Sequence, residues 1–112
     1  MILRCWTART TSELEPSYIE QVREIVLPYL ETQGGFLGAH FGRREVEGHI
    51  EILVITRWDS MEAAHHFSGN EQDRAYMPSA IAETLTSYDT ESTHYETLLE
   101  VEGPDSRRSP AV

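Results

Sequence analysis

The chain is predicted to form one α+β domain with the element order βαββαβ and a four-stranded antiparallel sheet. Three observations carry this. Tyr18, Val22, Ile25, Val26, Tyr29 and Leu30 recur at helical spacing, and two β-rich runs, Phe36 to Val46 and His49 to Trp58, flank the dipeptide Glu47-Gly48. A short helical stretch after Trp58 then leads to a last β-rich run from Ser92 to Val101.

Taken in order, Met1 to Arg9 mixes apolar and polar residues around Leu3, Cys5 and Trp6, and the cluster Thr10-Thr11-Ser12 ends it as a turn does. This is the expected first strand. The amphipathic helix from Pro16 follows, with acidic residues early and Gly34-Gly35 as its stop; Pro28 inside it removes a backbone hydrogen bond and predicts a kink. Glu47-Gly48 is a two-residue turn of the kind that joins antiparallel strands.

Asp59 or Ser60 is expected to cap a helix that runs through Phe67, closed by Gly69-Asn70 and followed by a second helical stretch interrupted by Pro78. The last strand ends near Val101, so the domain is placed at residues 1–102. Residues 103–112, polar and proline-containing, are expected to be a disordered tail. The order βαββαβ describes the split βαβ arrangement of ferredoxin-like folds.

The second run of the hairpin has large apolar groups on both faces: Ile50, Ile52, Val54 and Trp58 on one, Leu53 and Ile55 on the other. The chain's own helices can cover one face. The other needs a second sheet, so a homodimer is expected. At 112 residues a lone domain buries only roughly two-thirds of its unfolded surface, which makes such help useful.

Composition narrows the function. Nine basic against nineteen acidic residues give a formal charge of -10, which repels nucleic acid and anionic lipid. No stretch nears the ~20 apolar residues of a membrane span, and Met1-Ile2-Leu3-Arg4 is no signal peptide, so a cytoplasmic location is expected. Cys5 is the only cysteine, which excludes an intrachain disulfide and multi-cysteine metal sites. All nine basic residues are arginine, and without lysine no imine chemistry with pyridoxal phosphate or a carbonyl substrate is open to the chain.

Leu27-Pro28-Tyr29-Leu30, Gly35-Phe36-Leu37-Gly38, Trp58-Asp59-Ser60-Met61-Glu62-Ala63, Phe67-Ser68-Gly69 and His94-Tyr95-Glu96, in this order, resemble the antibiotic-biosynthesis monooxygenase (ABM) family over residues 1 to 101. The resemblance implies a dimeric α/β barrel: two sheets packed face to face, each subunit keeping a cavity between sheet and helices. It also implies one of several activities, since the family includes oxygenases that oxidise phenolic polyketides without metal or flavin, haem-degrading relatives, and proteins with no established reaction. Trp58 matches the tryptophan at the end of strand three, but Val54 stands where oxygenase members can carry asparagine. The haem-degrading pattern is matched less well. It uses a strand-one asparagine, a tryptophan aligned near Phe67 and a histidine near Met77, and the only asparagine here is Asn70.

A cofactor-free oxygenase must deprotonate a phenol, hold the anion beside oxygen and stabilise the developing charge. His94, within a family motif, is a candidate base; His40, expected to share a strand face with Phe36 and Gly38, is a second; Trp58 offers an aromatic wall with one N–H donor. Each has a plain structural alternative: a backbone-bonded histidine, a surface histidine and a core tryptophan. Trp6, His66, Phe67, Tyr76 and Tyr95 are the expected substrate-binding residues.

Glu62 and His65 have the i, i+3 spacing of a carboxylate-bridged metal site, but one copy falls short of such a site, so no metal is expected. No cofactor is expected either, haem being disfavoured. The leading expectation is a cofactor-independent monooxygenase on a small hydrophobic, aromatic or polyketide-like compound. The alternatives are a cyclase or dehydratase on the same scaffold and a ligand- or haem-binding dimer without catalysis.

Overall fold

The computed structural model describes residues 1–67 and 74–107. Its sheet is built on β1 (Ile2–Thr10), whose nine residues pair antiparallel with β3 (His49–Trp58) from Ile2 opposite Trp58 to Thr10 opposite Ile50. β3 pairs on its other side with β2 (Phe36–Val46). The predicted hairpin turn is present: Glu47 and Gly48 both have positive φ, 47° and 86°, the mirror-image conformation that matches the twist of the strands it joins.

The fold is the expected α+β ferredoxin-like one, with strand order β2-β3-β1 and the last position beside β1. That last position differs from the expected run of Ser92 to Val101. A short strand outside that run, β4 (Ser87–Tyr88), pairs with Ala8 and Arg9, and the run itself is shortened to β5 (Thr93–Glu96), which pairs with Ile2 through Cys5. Asp89 lies between the two strands: its N–H still donates to Thr7 O at 3.0 Å, but its backbone carbonyl accepts from Trp6 Nε1 and its carboxylate from the Thr7 hydroxyl, both at 2.6 Å. Beyond Glu96 the run leaves the sheet, and Leu98, Leu99 and Val101 are exposed.

The first helix is continuous from α1 (Glu15–Gln21) through a π-helical turn (Val22–Val26) to α2 (Leu27–Glu31). The π turn lies immediately before Pro28, where the kink is expected. Leu27 N–H bonds Val22 O, one residue further back than in an α-helix, so the register widens just before the proline that cannot donate. At the exit, Gly35 has φ 83°, and a Cβ there would lie 2.5 Å from Asp59 Oδ1 and 2.7 Å from Ala63 Cβ. Only glycine fits that close approach.

α3 (Met61–Phe67) begins as expected at Ser60, whose Oγ accepts from Ala63 N–H at 3.1 Å. The predicted Gly69-Asn70 stop lies outside the described residues. α4 (Ser79–Ala82) is a single turn after Pro78. Pro104–Arg107 forms one 3-10 turn, and residues 108–112 of the segment expected to be a tail lie outside the described residues.

The helices cover one face of the sheet, that of Ile2, Arg4, Ala8, Ile50, Ile52, Thr56 and Trp58, and Leu30 and Trp58 are sealed at 0% exposure. The other face keeps Leu53 at 41% and Tyr95 at 56% exposed, uncovered by any described element. Among the described residues, no helix is long and apolar enough to cross a membrane.

Candidate active site

Between the sheet and the first helix lies a cleft lined by Trp6, Tyr18, Phe41, Val54, Phe67 and Tyr76, with Arg4 at its floor. It holds about 530 Å³ of empty space counted to its open mouth, within the size range of small-molecule sites. Its aromatic lining makes it a slot suited to an aromatic ring.

Arg4 is the polar centre of this slot. Alternation along β1 places it on the helix-covered face with Ile2 and Ala8, and only 3% of it is exposed. The last carbonyls of a helix lack intrahelical partners, and Arg4 Nη1 donates to one of them, Ala64 O in α3, at 2.9 Å. Its Nη2 donates to Arg74 O at 2.6 Å, and the guanidinium lies 5.4 Å from the centre of the Phe67 ring. These contacts hold a permanent positive charge against an aromatic wall.

His94 is brought to this centre from β5, where it stands opposite Arg4. Its Nε2 is 2.9 Å from Arg4 Nη1. A guanidinium only donates, so Nε2 accepts, and the ring is the neutral tautomer with its proton on Nδ1. His65 of α3 meets His94 edge-on at 5.1 Å.

Of the expected substrate-binding residues, the structure places Trp6, Phe67 and Tyr76 on the cleft wall. Tyr76 stacks on Tyr29 at 4.6 Å and lies 5.1 Å from Phe67, and burial, with Tyr29 beside it, pushes its phenol above the ordinary tyrosine range. Tyr29 in turn donates to Phe67 O at 3.1 Å, fixing the C-terminal end of α3. Tyr95 is not on this wall: paired with Leu3, it projects from the opposite sheet face. His66 is exposed on α3 and does not line the cleft.

The other two candidates are displaced for definite reasons. Trp58 is fully buried behind Phe67, their rings 5.3 Å apart, and its Nε1 donates to Thr56 Oγ1 at 2.8 Å. It supports the wall without forming it. His40 does not share a face with Phe36, because a bulge at Leu37 shifts the register: Phe36 pairs with Trp58, but Gly38 pairs with Arg57 and His40 with Ile55. His40 therefore stands on the uncovered face.

Two cleft residues escaped the sequence reading. Arg4 could have been found as the one charge among Ile2, Trp6 and Ala8 on a single strand face. Tyr18 was read only as an apolar position of the helix, yet its phenol lines the cleft with 2% of the residue exposed, and burial raises its pKa well above the ordinary range. Among the described residues no three His, Cys, Asp or Glu side chains converge as a metal site.

A family model described as antibiotic biosynthesis monooxygenase matches residues 1–79. No curated protein matches the chain significantly. Among solved structures, a Bacillus cereus protein provisionally assigned as an antibiotic biosynthesis monooxygenase is 18% identical, with 92% of this chain and 96% of that one covered and a TM-score of 0.62. The haem-degrader MhuD from Mycobacterium tuberculosis, with two haems bound in its active site, is 20% identical, with 91% and 100% covered and a TM-score of 0.59. SnoaB, a cofactor-independent oxygenase from Streptomyces nogalater, is 12% identical, with 91% and 96% covered and a TM-score of 0.58. At these identities the likeness concerns the fold.

Proposed function

The chain belongs to the antibiotic biosynthesis monooxygenase family, and from that premise we propose that it is a cofactor-independent monooxygenase acting on a small aromatic compound with an acidic hydroxyl. The observation that carries this is the buried Arg4 guanidinium at the floor of an aromatic slot. A phenol pressed against it ionises more readily, because a fixed positive charge in a dry site stabilises the phenolate. His94 is the base: when Arg4 Nη1 turns to the phenolate, the Nε2 lone pair it held at 2.9 Å is released to take the proton.

The reaction needs no outside reductant. The phenolate gives an electron to dioxygen, and the resulting pair joins through a new C–O bond at a ring carbon. Loss of the ring proton with cleavage of the O–O bond leaves one oxygen as a carbonyl and releases the other as water. A phenol with a free para position plus dioxygen thus gives a quinone plus water. Trp6, Phe67 and Tyr76 hold the ring flat; Trp58 keeps Thr56 and Phe67 in place; His40, on the other sheet face, takes no part.

Haem does not fit this site. No imidazole is placed to ligate iron: Arg4 holds His94 Nε2, His65 packs edge-on against His94, His66 is exposed, and His40 and His49 stand at strand positions of the uncovered face. A non-oxidative cyclase or dehydratase is the second reading, favoured by Val54 in the wall where oxygenase members can carry asparagine.

Residues 1–102 act as the functional domain of a cytoplasmic homodimer, with the uncovered face of Leu53 and Tyr95 closing against its copy. The catalytic proposal is tested by incubating metal-stripped protein with dihydroxynaphthalenes under air and under argon and weighing the products by mass spectrometry. A product gaining one oxygen and losing two hydrogens in air alone supports oxygenation; turnover that is equal under argon removes it.

A further inference from the structure

Tyr18 carries a polar group that nothing in the fold uses. The residue is 2% exposed, it lines the cleft, and its hydroxyl makes no hydrogen bond to any described residue. The hydroxyl is not sealed in the core but reaches the cleft, and phenylalanine would fill the same apolar position among Ala8, Val22, Ile50 and Ile81 without offering a donor there. A hydroxyl kept in such a place is explained by a partner that arrives with the ligand.

Its position relative to Arg4 defines that ligand. Tyr18 packs on the Ala8 part of β1, and Ala8 lies four residues from Arg4 along the same strand face. At about 3.3 Å per residue this separates the two backbone positions by roughly 13 Å. The cleft is therefore served by a cationic donor from one part of β1 and by a neutral phenol donor packed beside another, with Trp6, Val54 and Met77 also in its lining.

We propose that Tyr18 is a specificity-determining residue that hydrogen-bonds a second oxygen of the substrate, so that the cleft selects flat, elongated aromatic compounds bearing an oxygen function at each end. The first oxygen sits at Arg4, and the second accepts from, or donates to, the Tyr18 hydroxyl. This assignment rests on the cleft being the substrate site, as proposed above, and not on the reaction being oxidative.

The test is anaerobic calorimetric titration of wild type and Tyr18→Phe with two slim probes, para-phenylphenol and para,para-dihydroxybiphenyl, which differ only in the second hydroxyl. Wild type should bind the dihydroxy probe about ten-fold more tightly, the effect of one well-placed hydrogen bond in a dry site. Tyr18→Phe should bind both probes equally, at the level of phenylphenol, and should melt at the same temperature as wild type or higher. A preference that survives in Tyr18→Phe, equal affinities in wild type, no binding of either probe, or a lowered melting temperature would each overturn the assignment. Because no turnover is measured, the two proposals separate. A Tyr18-dependent preference in a protein that consumes no oxygen removes the oxygenase reading alone, and oxygenation without the preference removes this one alone.

Discussion

Arg4 and His94 face each other across the β1–β5 pair with Nη1 2.9 Å from Nε2, the arginine donating and the neutral imidazole accepting. The same guanidinium donates to the carbonyls of Ala64 and Arg74, so one side chain ties the sheet to α3 and to the segment that leads into α4. Stability and the proposed chemistry thus meet at a single residue.

Replacing Arg4 should therefore cost both. In Arg4→Gln the carbonyls of Ala64 and Arg74 lose their donors, and the fold should weaken by on the order of 3 kcal/mol, read from urea unfolding. Arg4→Lys restores a charge but not the fork that serves several acceptors, so it should recover only part of that loss. Full recovery by lysine would contradict the geometry described for this site.

Alkaline pH should expose Tyr18. Its folded pKa is raised by burial, while an unfolded tyrosine titrates near pH 10. Above that pH the unfolded chain loses a proton that the folded chain keeps, so the unfolded state binds fewer protons and stability falls as pH rises. The stability is complete below about pH 10 and declines towards the raised folded value. Tyr18→Phe should unfold at higher pH than wild type in an alkaline titration followed by circular dichroism, and an unchanged midpoint would sink this account.

Trp58 should prove structural. Trp58→Phe opens space in a fully buried site and removes the bond to Thr56, which should cost roughly 1–3 kcal/mol and lower Tm by about 5–15 °C. Probe affinity per folded molecule should change little, because the ring stands behind Phe67. A selective loss of probe binding without a loss of Tm would place Trp58 at the cleft instead.

The uncovered sheet face gives an association test. Leu53→Glu puts a charge into the centre of the proposed contact and should convert a dimer to monomer in light scattering while leaving the monomer folded. A wild type that is already monomeric would contradict the dimer.

Much of the fold was legible because its signals are local. The hairpin follows from Glu47-Gly48, the helix exit from Gly34-Gly35 and the start of α3 from Ser60. What was not legible depends on contacts between distant parts of the chain. The bulge at Leu37 reverses the parity of every later residue in β2 and moved His40 to the other face. Asp89 bonds Trp6 and Thr7 between the two short strands β4 and β5, and a π turn precedes Pro28. The site was half legible for the same reason: aromatic residues announce themselves, whereas Arg4 and Tyr18 matter through what the fold buries around them.

The central claim is most directly tested by oxygen uptake of metal-stripped wild type and Arg4→Lys, a variant that keeps the charge, with dihydroxynaphthalenes as probes. The account predicts uptake by wild type that rises with enzyme concentration and falls by about a hundred-fold, on the scale of losing a placed oxyanion donor, in the folded lysine variant. Uptake that is the same in both proteins, or that needs added metal or haem, would contradict it.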